Sequence, residues 1–306
     1  MIYLSGINKL TKLMFKPTSN TTVENSDIVA FKLNDNYTIK KGVIYNVNKS
    51  LTGFFAVPDG VETIAEGAFS NCEYINEIDM NDTVTLIDKA AFISCKRLNH
   101  INLSNSIKYI SSNLFQECIS LKEIILPNSV EYIGDYSFYL CNYLENIVLN
   151  TYITRIGKGA FANCLRLTQI DLYDSLTELG ADCFLNCVSL KSINIPNSIT
   201  VLSQGTFKNC KNLIGVQLPT NLISIGQNCF MDCKKLRFVN IPSTVQVISK
   251  FAFKNCVSLK DVYINNAYTT IEQGAFRNCQ NLKIHCTLNS KAYNYAKNNN
   301  LKIQLI

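Results

Sequence analysis

Apolar residues recur along this chain at one fixed interval. Phe69, Phe92, Phe115, Phe138, Phe161, Phe184, Phe207, Phe230, Phe253 and Phe276 are each 23 residues apart, without an insertion. Cys follows three positions after every one of them, from Cys72 to Cys279. Three positions further on comes Ile75 and then, in each later unit, a leucine from Leu98 to Leu282. Five residues before each Phe stands Ile or Leu, from Ile64 to Ile271. A constant internal period of this length is the signature of stacked repeats.

Within one unit the pattern predicts elements. Residues 121–126, Leu-x-x-Ile-x-Leu, end in a period-two alternation, which makes a short strand with one buried face. Identical strands one repeat apart must stack in parallel, about 4.8 Å from each other. Pro127, Pro196, Pro219 and Pro242 close four of them. A Val-x-x-Ile stretch follows, as at 130–133, and then a small residue such as Gly134, Gly157, Gly180 or Gly226, where the chain can bend. The Ala-Phe-x-Asn-Cys segment is expected to bring the chain back as a helical turn. The fold predicted is an α/β repeat solenoid: a right-handed superhelix of about ten 23-residue coils with a parallel β-sheet on one face.

A single coil buries too little apolar surface to offset the entropy of ordering it, so neighbours must share the core and the ends need caps. Residues 1–41 do not match the repeat and are read as an N-terminal extension or cap, with a strand near 28–33. Residues 42–60 form a partial capping repeat that alternates like a hairpin, with Phe55, Val57 and Pro58 in the strand columns. The solenoid runs over 61–285 and a C-terminal cap over 286–306. There the period fails: Ile284 arrives one position early and His285 falls where Ile is expected. Ser290 is placed to N-cap a helix over 291–299, ahead of a last strand in 301–306.

The unit A-F-x-N-C-x-x-L-x-x-I-x-L-P-x-S-V-x-x-I-G, carried almost unaltered by residues 160–179, 206–225 and 252–264, resembles the BspA-like, or treponemal-type, leucine-rich repeat. The resemblance covers about 42–306, and the ending S-K-A-Y-N-Y-A-K-N-N-N-L-K-I is similar to that family's C-terminal cap. It is specific for fold and weak for function. It implies a surface-exposed or secreted binding protein, an adhesin or antigen that contacts host proteins.

Composition narrows the alternatives. With 47% apolar and 17% charged residues the chain is a folding sequence, not a disordered one. Of its net charge of +6, the excess lies at the ends. Residues 1–60 carry 7 Lys against 4 acids and residues 280–306 carry 4 Lys and none, while the stretch between has 18 bases against 19 acids. A nucleic-acid binder concentrates its charge on one face, so nucleic acid is not the expected partner. No apolar run is long enough to span a membrane. Lys9, Lys12 and Lys16 interrupt the first residues, which lack the core of a secretory signal. The sequence alone thus points to the cytoplasm, whereas the resemblance implies the cell surface or secretion.

The thirteen cysteines raise the question of disulfides or metal. Ten occupy one inward column between Phe and Leu, where a thiol is a small buried hydrophobe, and no C-x-x-C occurs. His100 lies outward on a strand beside Asn99 and Asn102. A Cys–His dyad needs an exposed thiolate, which the column does not offer. There is no glycine-rich phosphate loop, G-x-S-x-G or H-E-x-x-H. No catalytic residue, cofactor site or metal site is expected.

Function is expected on the outward strand positions, because the inward ones are committed to the core. Acids lead in the first five coils (Glu77, Asp79, Glu123, Glu145, Asp171) and bases in the last four (Lys191, Arg237, Lys260). Ile214, Arg237, Phe238, Lys260 and Tyr263 form the candidate protein-binding patch, since aromatic and Arg anchors are typical of interface hot spots. The plain alternative is that they are β-favouring residues tolerated on a sheet surface. Tyr132, Tyr136, Tyr139 and Tyr143 of the fourth coil are a second candidate surface. The leading reading is a non-enzymatic scaffold for an unidentified protein. The alternatives are a self-associating structural or antigenic surface protein and, third, an enzyme.

Overall fold

The computed structural model describes residues 32–34 and 36–306. Each coil contributes to two parallel ladders rather than one. The longer strands include Ile75–Asp79, His100–Asn102, Glu123–Ile125, Asn146–Val148, Ser192–Asn194, Gly215–Gln217, Phe238–Ile241 and Asp261–Ile264. A second ladder is made of two-residue strands, among them Tyr109–Ile110, Tyr132–Ile133, Arg155–Ile156 and Glu178–Leu179. Register follows the repeat in both, with Ile124 opposite Ile147 and Ile133 opposite Ile156. The short ladder comes from the Val-x-x-Ile stretch. Two paired residues are too few to leave an alternation in the sequence.

The returning segment is built from turns instead of the expected helical turn. In the coil around Phe161, Gly159 (φ 57°) and Asn163 (φ 64°) both adopt the left-handed conformation. Two such residues in five cannot belong to a right-handed helix, and glycine and asparagine tolerate them best. The freed backbone groups bond to the next coil: Phe115 N–H donates to the Ser137 carbonyl at 2.7 Å and Phe161 N–H to that of Cys183 at 2.9 Å. All three sides of the solenoid are therefore bonded from coil to coil. Among the described residues the one helix is Lys291–Asn298.

Two columns organise the core. The phenylalanine rings from Phe69 to Phe276 follow one another with centroids 4.9–5.6 Å apart. Beside them, every column thiol from Cys95 to Cys279 donates to the carbonyl of the Phe in the preceding coil, at 3.0–3.2 Å. That carbonyl also accepts from the Cys N–H of its own coil, as Phe161 does from Cys164, so both lone pairs are used. Cysteine suits the column because it is small, apolar and still a weak donor.

The ends are closed differently. Residues 42–60 do not form a hairpin. Val43–Val47 pairs antiparallel with Tyr37–Lys40 and parallel with Thr63–Ile64, while Gly53–Ala56 joins the other ladder beside Ile75–Asp79. This segment is a shortened first coil, and alternation alone cannot tell a hairpin from two strands in separate ladders. Lys32–Asn34 adds an antiparallel strand to Tyr37–Lys40. The rest of the 28–33 expectation, like residues 1–27, lies outside the described residues. At the far end Ser290 caps the helix by accepting from Tyr293 N–H at 3.0 Å, and Ala292 and Ala296 pack inward. Lys302–Leu305 then extends the longer ladder beyond Lys283–Cys286.

Candidate binding surface

The longer strands bury alternate residues. Ile124, Ile147 and Val239 are inward and sealed, and their neighbours face solvent. Two shallow depressions lie along this face. One, of about 730 Å³, is bordered by His100, Asn102, Glu123, Ile125, Asn146 and Val148. The other, of about 740 Å³, is bordered by Ser192, Asn194, Gly215, Gln217, Phe238 and Asn240.

The five residues singled out from the sequence fall in three places on one face. Phe238 is 56% exposed and borders the second depression. Arg237 and Lys260 flank a smaller hollow of about 470 Å³ with Val257, Ser258 and Asn281. Ile214 is exposed in the same column as Arg237, to whose N–H its carbonyl is bonded. Tyr263 is not directly opposite Phe238: Phe238 pairs with Asp261, and Asn240 with Tyr263.

Tyr263 has another neighbour. Its ring stacks on His285 at 4.1 Å, and His285 Nε2 lies 2.7 Å from Asp261 Oδ1. The last coil is one residue short, so Ile284 takes the column of Val262 and His285 that of Tyr263. The sequence reading missed this trio because it aligned His285 with an inward position. It also passed over Ile125 and Val148, which are 71% and 53% exposed and directly opposite in adjacent strands. Their signal was present: two consecutive outward positions in one column held aliphatic residues.

The tyrosines of the fourth coil do not share a surface. Tyr132 belongs to the short ladder and stacks on Tyr109 at 5.2 Å. Tyr136 and Tyr139 meet edge to face on the returning side. Tyr143 lies under the Arg166 guanidinium, 4.0 Å from its ring centre.

All thirteen cysteines are buried and free. Burial pushes the thiols of Cys72 and Cys279 up from 9.0 to about 12. It also raises those of Cys118, Cys141, Cys164 and Cys210, whereas for Cys95 the sulfur contact with Cys118 is the larger cause. A protonated, inaccessible thiol is neither nucleophile nor metal ligand. Among the described residues no group of three or more His, Cys, Asp or Glu side chains is placed to hold a metal ion. No helix among them is long and apolar enough to cross a membrane.

Comparison with known proteins places this architecture. The pattern described as BspA type leucine-rich repeat region, in six copies, matches residues 37–165, 131–257 and 205–303. No curated protein sequence matches the chain. Among solved structures, a leucine-rich repeat protein from Bacteroides ovatus is 21% identical, with a TM-score of 0.64 over 92% of this chain and 99% of that one. The Treponema pallidum leucine-rich repeat protein is 23% identical, with a TM-score of 0.46 over 68% and 87%. A leucine-rich cell surface protein from Faecalibacterium prausnitzii is 20% identical, with a TM-score of 0.42 over 90% and 97%. With the family pattern spanning nearly all the described coils, the chain belongs to the BspA-type leucine-rich repeat family.

Proposed function

We propose that this chain is a non-enzymatic scaffold that binds a protein partner through the face of its longer ladder. One observation carries the reading. Ile125, Val148 and Phe238 stand more than half exposed on that face, while their inward neighbours already fill the core. These side chains therefore add little to the stability of their own fold. Large apolar groups beside open depressions, ringed by amide and charged residues, have the make-up of a recognition surface.

The chemistry of the remaining residues supports the same reading. The thiols are sealed and His285 is engaged with Asp261 and Tyr263. Adhesion to a host surface is the use of such a face that the family likeness supports, and it requires the chain to be outside the cell. Protease treatment of intact cells tests that use: degradation of the chain supports it, and full survival removes it while leaving the scaffold reading in place.

The scaffold reading is tested with the chain immobilised and exposed to extract of its cell of origin or to matrix proteins. Replacing Phe238 and Tyr263 together by Ala should weaken capture of whatever partner the native chain retains, with the fold intact by circular dichroism. Unchanged capture by the folded double variant removes the face from the binding site.

A further inference from the structure

We propose that the longer-ladder face pairs with the same face of a second copy, the two solenoids running in opposite directions. The proposal rests on the protein-binding reading above and names its partner. It comes from how charge and exposed apolar residues are arranged together on this face.

On the other sides of the first six coils, opposite charges pair within the chain between neighbouring coils, whereas Lys208, Lys211, Lys234 and Lys254 of later coils form no ion pair among the described residues. Glu66 meets Lys89 at 3.2 Å, Glu73 meets Lys96 at 2.6 Å and Arg155 meets Glu178 at 3.3 Å. On the longer-ladder face they are instead sorted by sign. Counting strand positions from Ile75–Asp79, the first five carry Glu77, Asp79, Glu123, Glu145 and Asp171 against Lys122. The last five carry Lys283 within its strand and Lys191, Arg237 and Lys260 each one residue ahead of theirs, against Asp261, which His285 already engages. Among the described residues, Glu123, Asp171, Lys191, Arg237, Lys260 and Lys283 form no ion pair; Glu145 pairs with Arg166 at 3.2 Å. At about 4.8 Å per coil the centres of the two halves are about 25 Å apart. That exceeds the screening length of about 8 Å at physiological salt, so one half cannot neutralise the other within a chain.

A second copy can. Rotation by a half turn about an axis along the strands, midway between the fifth and sixth positions, lays the acidic half of each copy on the basic half of the other. The first position, with Glu77 and Asp79, then faces the tenth, with Lys283. The same rotation sets the third position, with Ile125, against the eighth, with Phe238. It sets the fourth, with Val148, against the seventh, with Ile214. In this register the exposed apolar residues face one another, opposite charges meet at the first and tenth and at the fifth and sixth positions, and each depression receives the apolar coils bordering the other. Two copies stacked in the same direction would place like charges together. One like-charge encounter remains, because Lys122 and Arg237 fall in facing coils. An interface of this kind is isologous and closes at two copies.

The test is the mass of the full chain in solution by analytical ultracentrifugation. A dimer is expected at low salt, with a dissociation constant at least about tenfold weaker at ~500 mM than at ~50 mM salt. Zero-length carbodiimide coupling of that dimer should join Glu77 or Asp79 of one copy to Lys283 of the other. The triple variant Lys191→Glu, Arg237→Glu, Lys260→Glu should be monomeric, and so should Glu77→Lys, Asp79→Lys, Glu123→Lys; mixing the two should restore a pair. The salt series on the native chain stands even where a variant fails to fold. A monomer at ~200 µM chain and ~50 mM salt overturns the proposal, as does a dimer joined through any other face. If that monomer still captures a partner through Phe238, the scaffold reading survives and its partner is a different protein.

Discussion

The backbone N–H of Phe276 donates to the phenolic oxygen of Tyr295 at 3.3 Å. In the coils before it, the equivalent N–H meets a carbonyl of the following coil, as Phe253 does that of Ala275 at 2.7 Å. Phe276 is the last of its column and has no following coil. The C-terminal helix supplies a side-chain oxygen in place of that carbonyl, and the Tyr295 ring ends the phenylalanine stack edge-on, 6.0 Å from Phe276. Phe55 and Tyr37 end the stack in the same manner at the other terminus, at 5.1 and 5.8 Å. Tyr295→Phe removes only the hydroxyl and strands a buried N–H, so it should cost about 1–3 kcal/mol. Urea unfolding measures the cost, and amide exchange at Phe276 should quicken in the variant. An unchanged midpoint with unchanged exchange would show that the hydroxyl is not the partner that matters.

The two kinds of phenylalanine should behave differently. Phe161 is fully buried in mid-column and Phe238 stands on the outer face. Phe161→Ala leaves a cavity between two stacked rings and should cost ~3–5 kcal/mol. Phe238→Ala should cost under about 1 kcal/mol, as surface substitutions do. Equal costs in chemical denaturation would mean that the register is wrong.

The core was legible because the packing of every coil repeats, so ten copies of one environment select the same or a closely similar residue ten times. Phe161, Cys164 and Leu167 are visible for that reason. What escaped was whatever depends on two residues or on a single coil. The short ladder uses two residues per coil, as at Tyr132–Ile133, and has no period of its own to detect. The helical turn expected around Phe161 failed because the Gly159 and Asn163 columns encode left-handed backbone, which a helix forbids. The trio of Asp261, Tyr263 and His285 depends on one deleted residue that shifts the last strand. On the face, exposure of Phe238 and Tyr263 followed from alternation. Their spacing did not, since register across strands sets it.

The thiol column makes the fold sensitive to alkali. At pH 8 a water-soluble thiol reagent should modify none of the thirteen buried cysteines of the native chain and all of them after denaturation. The folded thiols titrate above their ordinary value of 9.0, at about 12 for Cys72 and Cys279. A raised pKa means that the folded state holds protons that the unfolded state has released. The stability linked to the raised thiols is therefore present below pH 9 and lost as pH rises above it, towards about 12 for Cys72 and Cys279. Those two each lose at most about 1.4 kcal/mol per pH unit between 9 and 12. The urea midpoint should fall steeply from pH 8 to pH 10; a flat profile would show that the thiols are not sealed.

Two aromatic residues occupy left-handed positions that in the other coils hold glycine, asparagine, aspartate or alanine, and each has a glycine beneath it. Tyr136 (φ 55°) and Phe251 (φ 61°) lie one coil before Gly159 and Gly274. A Cβ on Gly274 would stand 2.6 Å from the Phe251 ring, and one on Gly159 would stand 2.5 Å from the Tyr136 ring. The ammonium groups of Lys250 and Lys254, 5.1 and 5.0 Å from the centre of the Phe251 ring, favour its place there. Gly274→Ala therefore meets two obstacles: a left-handed backbone, worth about 1–2 kcal/mol, and displacement of the ring, worth about 1–3 kcal/mol. Phe251→Asn removes the second obstacle and leaves the first, because asparagine tolerates the left-handed position and has no ring to displace. The cost of Gly274→Ala should then drop by more than about 1 kcal/mol in the Phe251→Asn background, a coupling that a double-mutant cycle reads directly. Additive costs would mean that ring and glycine are neighbours by chance, and that the backbone alone keeps glycine at 274.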